Sequence, residues 1–158
     1  MQLNRDTIAQ ILPHQGAMCL LDEVLGCDGD SIVCRATSHR AADNPMRTSQ
    51  GLGVATGIEY AAQAMALHAA LQAMTSDAQV QPRRLPAGAL ASVRSVSFDV
   101  DRLDTTQGDL LIEASLVSGD SAMALYSFKV TSDGRSLLSG RASVVIRPDA
   151  LAPAPVVL

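Results

Sequence analysis

The chain has 158 residues, 47% apolar and 18% charged, with a formal net charge of −4. That length suits one domain with its own core, and the apolar share excludes a disordered chain. A net acidic chain with 3% aromatic residues lacks the cationic surface and stacking rings of a typical nucleic-acid binder, so no nucleic-acid partner is expected.

In chain order, residues 7–12 form a short apolar-periodic piece that Pro13 stops, which predicts a brief helix. Residues 18–25 (MCLLDEVL) predict a strand, 26–30 (GCDGD) a turn, and 31–37 (SIVCRAT) the second strand of a hairpin. Residues 38–53 have no period and are rich in Asn, Pro, Ser and Gly, a loop of the length at which loops tend to be functional. The one strong helix covers 57–74, dense in Ala, Met and Leu, with apolar residues on nearly every face. That pattern marks a buried helix.

Thr75 and Ser76 end the helix, and a crossing loop runs through Pro82 and Pro86. Alternating segments at 89–100, 110–118, 122–131 and 136–147 predict strands, separated by turns at 107–109, 119–120 and Asp133-Gly134. A single domain is expected over 1–147, followed by a loosely ordered Ala/Pro tail at 148–158. A helix that is apolar all round needs covering on most sides, and a curved antiparallel sheet wrapped around it supplies that cover. The class is α+β.

Glu59, Gln63, His68 and Gln72 interrupt the longest apolar stretch, so no membrane span is expected. Residues 1–10 carry Arg5 and Asp6 and no apolar leader segment. Cys19, Cys27 and Cys34 are odd in number and lack C-x-x-C spacing, which predicts reduced thiols in a cytoplasmic protein and neither a disulfide framework nor a zinc site.

Glu59 stands out chemically, a carboxylate in the first turn of a helix flanked by Gly57, Ile58, Ala61 and Ala62. One reading is a solvent-facing acid beside free helix amides. The other is a buried acid whose pKa desolvation pushes upward, oriented by Gln63 one turn later. His14, in the rigid turn after Leu12-Pro13, is alone an ordinary structural histidine. Paired with Glu59, it gives one pocket a base and an acid near neutral pH. His39 competes for the base role, and His68, nine residues after Glu59, falls on the opposite helix face. No two histidines are spaced as ligands on one element, so no metal is expected. Gly51, Gly53 and Gly57 cluster at the helix entry, either as a tight turn or as a place where amides near Val54 meet a thioester carbonyl. Arg83 and Arg84 are either a phosphate- or carrier-binding pair or a solvated surface.

Two segments resemble a known family. Residues 11–24 (ILPHQGAMCLLDEV) resemble the N-terminal signature of FabZ-type 3-hydroxyacyl-acyl-carrier-protein dehydratases, and 57–66 (GIEYAAQAMA) resemble their central-helix signature. Asn44-Pro45 and the run Gly57-Ile58-Glu59-Tyr60 are similar to the aryl-polyene-cluster (ApeP-like) branch. The resemblance covers about residues 5 to 147. It implies a hotdog fold, homodimers or larger oligomers with sites at the interface, and loss of water from a 3-hydroxyacyl thioester to give the trans-2-enoyl thioester. No cofactor is implied beyond the phosphopantetheine of an acyl carrier protein, or coenzyme A, that carries the substrate.

Standard members place a histidine in a Gly-His-Phe-Pro-Gly segment before the helix. Here residues 46–54 (MRTSQGLGV) hold none. Glu59 matches the family acid, and His14 matches the family's other histidine. The expected mechanism therefore gives the α-proton to His14 and has a protonated Glu59 deliver a proton to the leaving hydroxyl. Val54 and Gly53 amides face the thioester, Gln63 orients the acid, and Leu12, Met18, Leu52, Met65 and Leu90 line an acyl pocket. Two alternatives remain at this stage. One is a hotdog thioesterase; the other is a non-catalytic acyl-binding subunit that works with a second hotdog chain.

Overall fold

The computed structural model describes residues 2–76, 89–120 and 122–145. Seven strands form one antiparallel sheet: β1 (Leu3–Asn4), β2 (Glu23–Cys27), β3 (Ser31–Ala36), β4 (Ala89–Phe98), β5 (Leu110–Gly119), β6 (Met123–Ser132) and β7 (Arg135–Val145), in the spatial order β1-β2-β3-β5-β6-β7-β4. Helix α1 (Arg5–Ile11) caps one end, and the 20-residue helix α2 (Gly57–Ser76) packs along β3, β5, β6 and β7. The expected tail at 148–158 and the pair Arg83 and Arg84 lie outside the described residues.

α2 is buried on most of its circumference. Tyr60, Ala61, Ala64, Met65, Leu67 and Ala70 are fully enclosed, together with the polar Gln63 and His68. The facing strands alternate as a half-buried sheet requires, with Ile32, Cys34 and Ala36 of β3 and Leu110, Ile112 and Ala114 of β5 turned toward the helix. At the β6–β7 turn, Asp133 (φ 51°) and Gly134 (φ 77°) both adopt the left-handed conformation, which matches the sheet twist in a two-residue hairpin.

One predicted strand begins late. Residues 16–18 form a 3₁₀ turn, and β2 starts only at Glu23. Cys19, Leu20 and Leu21 are all buried, so alternation fails there, and the Leu20 N–H donates to the Gln63 side chain instead of a neighbouring strand.

His68 ties α2 to the sheet. Its Nε2–H donates to the Asp28 carbonyl at 2.8 Å, so Nδ1 is the acceptor for the Tyr126 hydroxyl at 2.8 Å. Burial pushes the Tyr126 hydroxyl up to about 12, which keeps it a donor. Tyr126→Phe strands a buried acceptor and is expected to cost about 1–3 kcal/mol of stability, read as a lower urea midpoint with an unchanged slope.

Candidate active site

α1 is fastened to the core by Ile8 and Ile11, and its last carbonyl contact, Leu12 N–H to Ile8 at 2.9 Å, hands the chain to Pro13. Proline cannot continue the helix, so the turn carries His14 out over the start of α2. There His14 Nε2 lies 3.0 Å from Glu59 Oε1; the two side chains are 27% and 32% exposed. Gln63, one turn along α2, donates from Nε2 to the same Glu59 oxygen at 3.1 Å and to the Met18 carbonyl at 2.8 Å. Its carbonyl oxygen accepts the Leu20 N–H at 3.0 Å. One buried amide thus fixes both the carboxylate and the loop that faces it.

The electrostatics differ from the expectation of a protonated acid. Desolvation pushes the Glu59 carboxyl upward, but the hydrogen bonds from His14 and Gln63 outweigh it and hold the group below its ordinary value. Glu59 is a carboxylate at neutral pH. A carboxylate only accepts, so the His14 tautomer carries its proton on Nε2. His14 Nδ1 is buried with no protein partner.

His39 does not join this pair. It is enclosed in a 3₁₀ turn at Ser38–Arg40, its Nε2 contacts the Thr106 carbonyl at 3.1 Å, and burial lowers its pKa. Among the described residues no His, Cys, Asp and Glu side chains cluster as metal ligands, and no helix is long and apolar enough to cross a membrane. Burial pushes the Cys34 thiol up to about 12.

Of the residues expected to line an acyl pocket, Leu12, Leu52 and Met65 are buried in the core, while Leu90 is 41% exposed on the edge strand β4. Met18 is half-buried in the 3₁₀ turn. The Val54 amide is also spent, because it donates to the Asp101 carbonyl at 3.0 Å, and Gly53 is exposed in a bridge to Arg102. Two of the clustered glycines have packing reasons. Gly51 has φ +96°, and at Gly57 a Cβ would stand 2.6 Å from Leu138, where the helix start presses on β7. Beside Val54 a cleft of about 650 Å³ opens, lined by Phe98, Asp99, Arg102 and Arg135.

Ser38, Asn44 and Tyr60 form a group that sequence reasoning did not single out. The Tyr60 hydroxyl lies 2.8 Å from Ser38 Oγ and accepts from Asn44 Nδ2 at 3.2 Å, and Ser38 Oγ donates to the Leu20 carbonyl. This network pins the long irregular loop to α2 beside Gln63. Asn44 and Tyr60 both fall within the family-like segments, and that was their only signal.

A long buried helix wrapped by an antiparallel sheet defines the hotdog class. The chain is similar in fold to a chain of the dehydratase heterocomplex ApeI:P from Xenorhabdus doucetiae, with a TM-score of 0.78 at 22% identity, covering 94% of this chain and 93% of that one. Thioesterase superfamily member 2 of zebrafish gives a TM-score of 0.59 at 14% identity over 90% of this chain and 93% of that one. AziG of S. sahachiroi gives 0.55 at 14% identity over 78% and 88%. No curated protein matches the chain in sequence. The family model for ApeP-like dehydratases, described as ApeP dehydratase, matches residues 6–154, and the chain belongs to that family. It is a hotdog-fold dehydratase, a hydro-lyase.

Proposed function

We propose that the substrate is a 3-hydroxyacyl thioester on an acyl carrier protein, that Glu59 and His14 perform the elimination, and that a second hotdog subunit completes the working enzyme. The 3.0 Å contact between His14 Nε2 and Glu59 Oε1 is the observation that carries the reading. His14 has no nitrogen to offer a substrate proton, since Nε2 is bonded to Glu59 and Nδ1 is buried. Glu59 Oε1 holds two hydrogen bonds, which leaves Oε2 as the acceptor.

The roles therefore reverse. Glu59 Oε2 takes the α-proton while the C–H electrons delocalise into the thioester enolate. The resulting carboxylic acid returns that proton to the departing β-hydroxyl, releasing water and the trans-2-enoyl thioester. His14 and Gln63 keep Oε1 hydrogen-bonded throughout. The cleft beside Val54 and Phe98 lies at one end of β4, where a partner subunit would enclose it.

The test is turnover of a 3-hydroxyacyl thioester, followed by enoyl absorbance, on carrier protein and on coenzyme A, with and without a second hotdog chain. Enoyl formation without thiol release supports the reading, and thiol release without enoyl formation replaces it with a thioesterase.

The pH profile gives a separate check. A depressed carboxyl stays ionised as pH falls until its own lowered value is reached, so the acid limb of kcat/KM is expected below the ordinary glutamate value of 4.5. Activity should be flat from neutrality down to about pH 5. A limb near the ordinary histidine value of about 6.5 would return the base role to a histidine.

A further inference from the structure

β4 is a ten-residue strand at one edge of the sheet, and among the described residues nothing pairs with its outward backbone groups. The opposite edge, β1, has only two residues. A long open edge is a template for pairing with another strand. The two ends of β4 are apolar and open, with Leu90 41% and Phe98 49% exposed. Both stand opposite buried residues of β7, Val144 and Leu138, and so lie on the helix side of the sheet.

The middle of the strand has different chemistry. Arg94 lies on the outer face directly opposite Arg141 of β7, and both are exposed. Lys129 of β6 is exposed on the same face, opposite Ser139 of β7. Arg5, Arg35, Arg40, Arg47 and Arg102 all have carboxylate partners. Arg94 and Arg141 have none among the described residues, in a chain with more acidic than basic groups. Like charges placed directly across a strand pair repel.

We propose that the β4 edge pairs with a different chain, a second hotdog subunit whose facing edge strand carries carboxylates on its outer face, and that Arg94 and Arg141 keep two copies of this chain apart. This rests on the partner-subunit reading above and specifies the chemistry of that partner. In a symmetric antiparallel pairing of two copies, the register that sets Leu90 beside Phe98 of the copy at both ends also sets Arg94 beside Arg94 of the copy in the middle. Arg141 of each copy then completes a row of four arginines on neighbouring strands spaced about 4.8 Å apart. The apolar ends favour pairing, and the central charges decide with whom. An acidic side chain at the facing position would sit beside Arg94 and relieve its repulsion from Arg141.

Sedimentation velocity on the full chain tests this at ~0.1 M and ~1 M salt, where screening lengths are about 10 and 3 Å. The wild-type chain is expected to be monomeric at low salt and to self-associate about tenfold more tightly at high salt. Arg94→Ser is expected to self-associate about tenfold more tightly at low salt and to lose most of the salt dependence. Arg94→Glu mixed with wild type should form a one-to-one pair more tightly than wild type forms with itself. Ser92 and Ser97 already occupy the same face, so Arg94→Ser introduces no new chemistry to the strand.

A wild-type dimer at low salt as tight as that of Arg94→Ser would overturn the proposal. So would the absence of association in both Arg94→Ser and the mixture. Turnover by the same variants reports on the dehydratase reading separately. Turnover with charge-independent association removes the charge selection alone, and charge-dependent association without turnover removes the catalytic reading alone.

Discussion

Glu59→Gln is expected to lower kcat/KM by about 10²–10⁴-fold while leaving the unfolding midpoint close to that of wild type. The amide keeps an oxygen where Oε1 stands, so the hydrogen bonds from His14 and from Gln63 at 3.1 Å can persist and the helix entry stays packed. It loses the capacity to take up a proton at Oε2, which is the group assigned to the α-proton. His14→Ala separates the two roles. If His14 only holds the carboxylate, its removal lets the Glu59 pKa rise and shifts the acid limb of the pH profile upward, while activity at pH 8 falls less than in Glu59→Gln. Loss of activity at every pH in His14→Ala, equal to the loss in Glu59→Gln, would show that His14 itself handles the substrate proton.

Gln63→Leu should be the most destabilising change at the site, at about 2–4 kcal/mol. Gln63 is fully buried, and its amide satisfies the Leu20 N–H, the Met18 carbonyl and one Glu59 oxygen. A leucine of similar size fills the space but leaves the Leu20 N–H and the Met18 carbonyl without their partner. Urea unfolding gives the stability change directly. The same variant is expected to lower kcat more than it raises KM, because it frees the carboxylate from its fixed orientation without removing it. A stability loss below about 0.5 kcal/mol would mean that water substitutes for the amide, and that Gln63 does not hold the loop over α2.

Most of the architecture was legible because it depends on local period and turn chemistry. The all-round apolar run of α2 announced its burial, and Asp133-Gly134 announced the β6–β7 hairpin, which indeed uses two left-handed residues. The family-like segments singled out Glu59 and His14, and these are the two side chains that meet. The start of β2 was not legible. The run Met18 to Leu21 reads as a strand, but its backbone bonds to Gln63, 43 residues later in the case of Leu20. Hydrophobicity identifies Leu12, Leu52 and Met65 as apolar without saying what they pack against, and in the folded chain all three belong to the buried core.

The sequence by itself determined the class of fold, the order of its elements and the two residues at the helix entry, because helix period, strand alternation and turn residues act over a few positions. Only the tertiary structure decided the proton arrangement. The state of Glu59 is a balance between desolvation and two hydrogen bonds, one from four residues away and one from 45, and a carboxyl with the same neighbours in sequence would be protonated without them. It also decided which faces of β4 stay open and that Arg94 lies opposite Arg141, since strand register across 47 residues is set by the packed sheet and not by either strand alone.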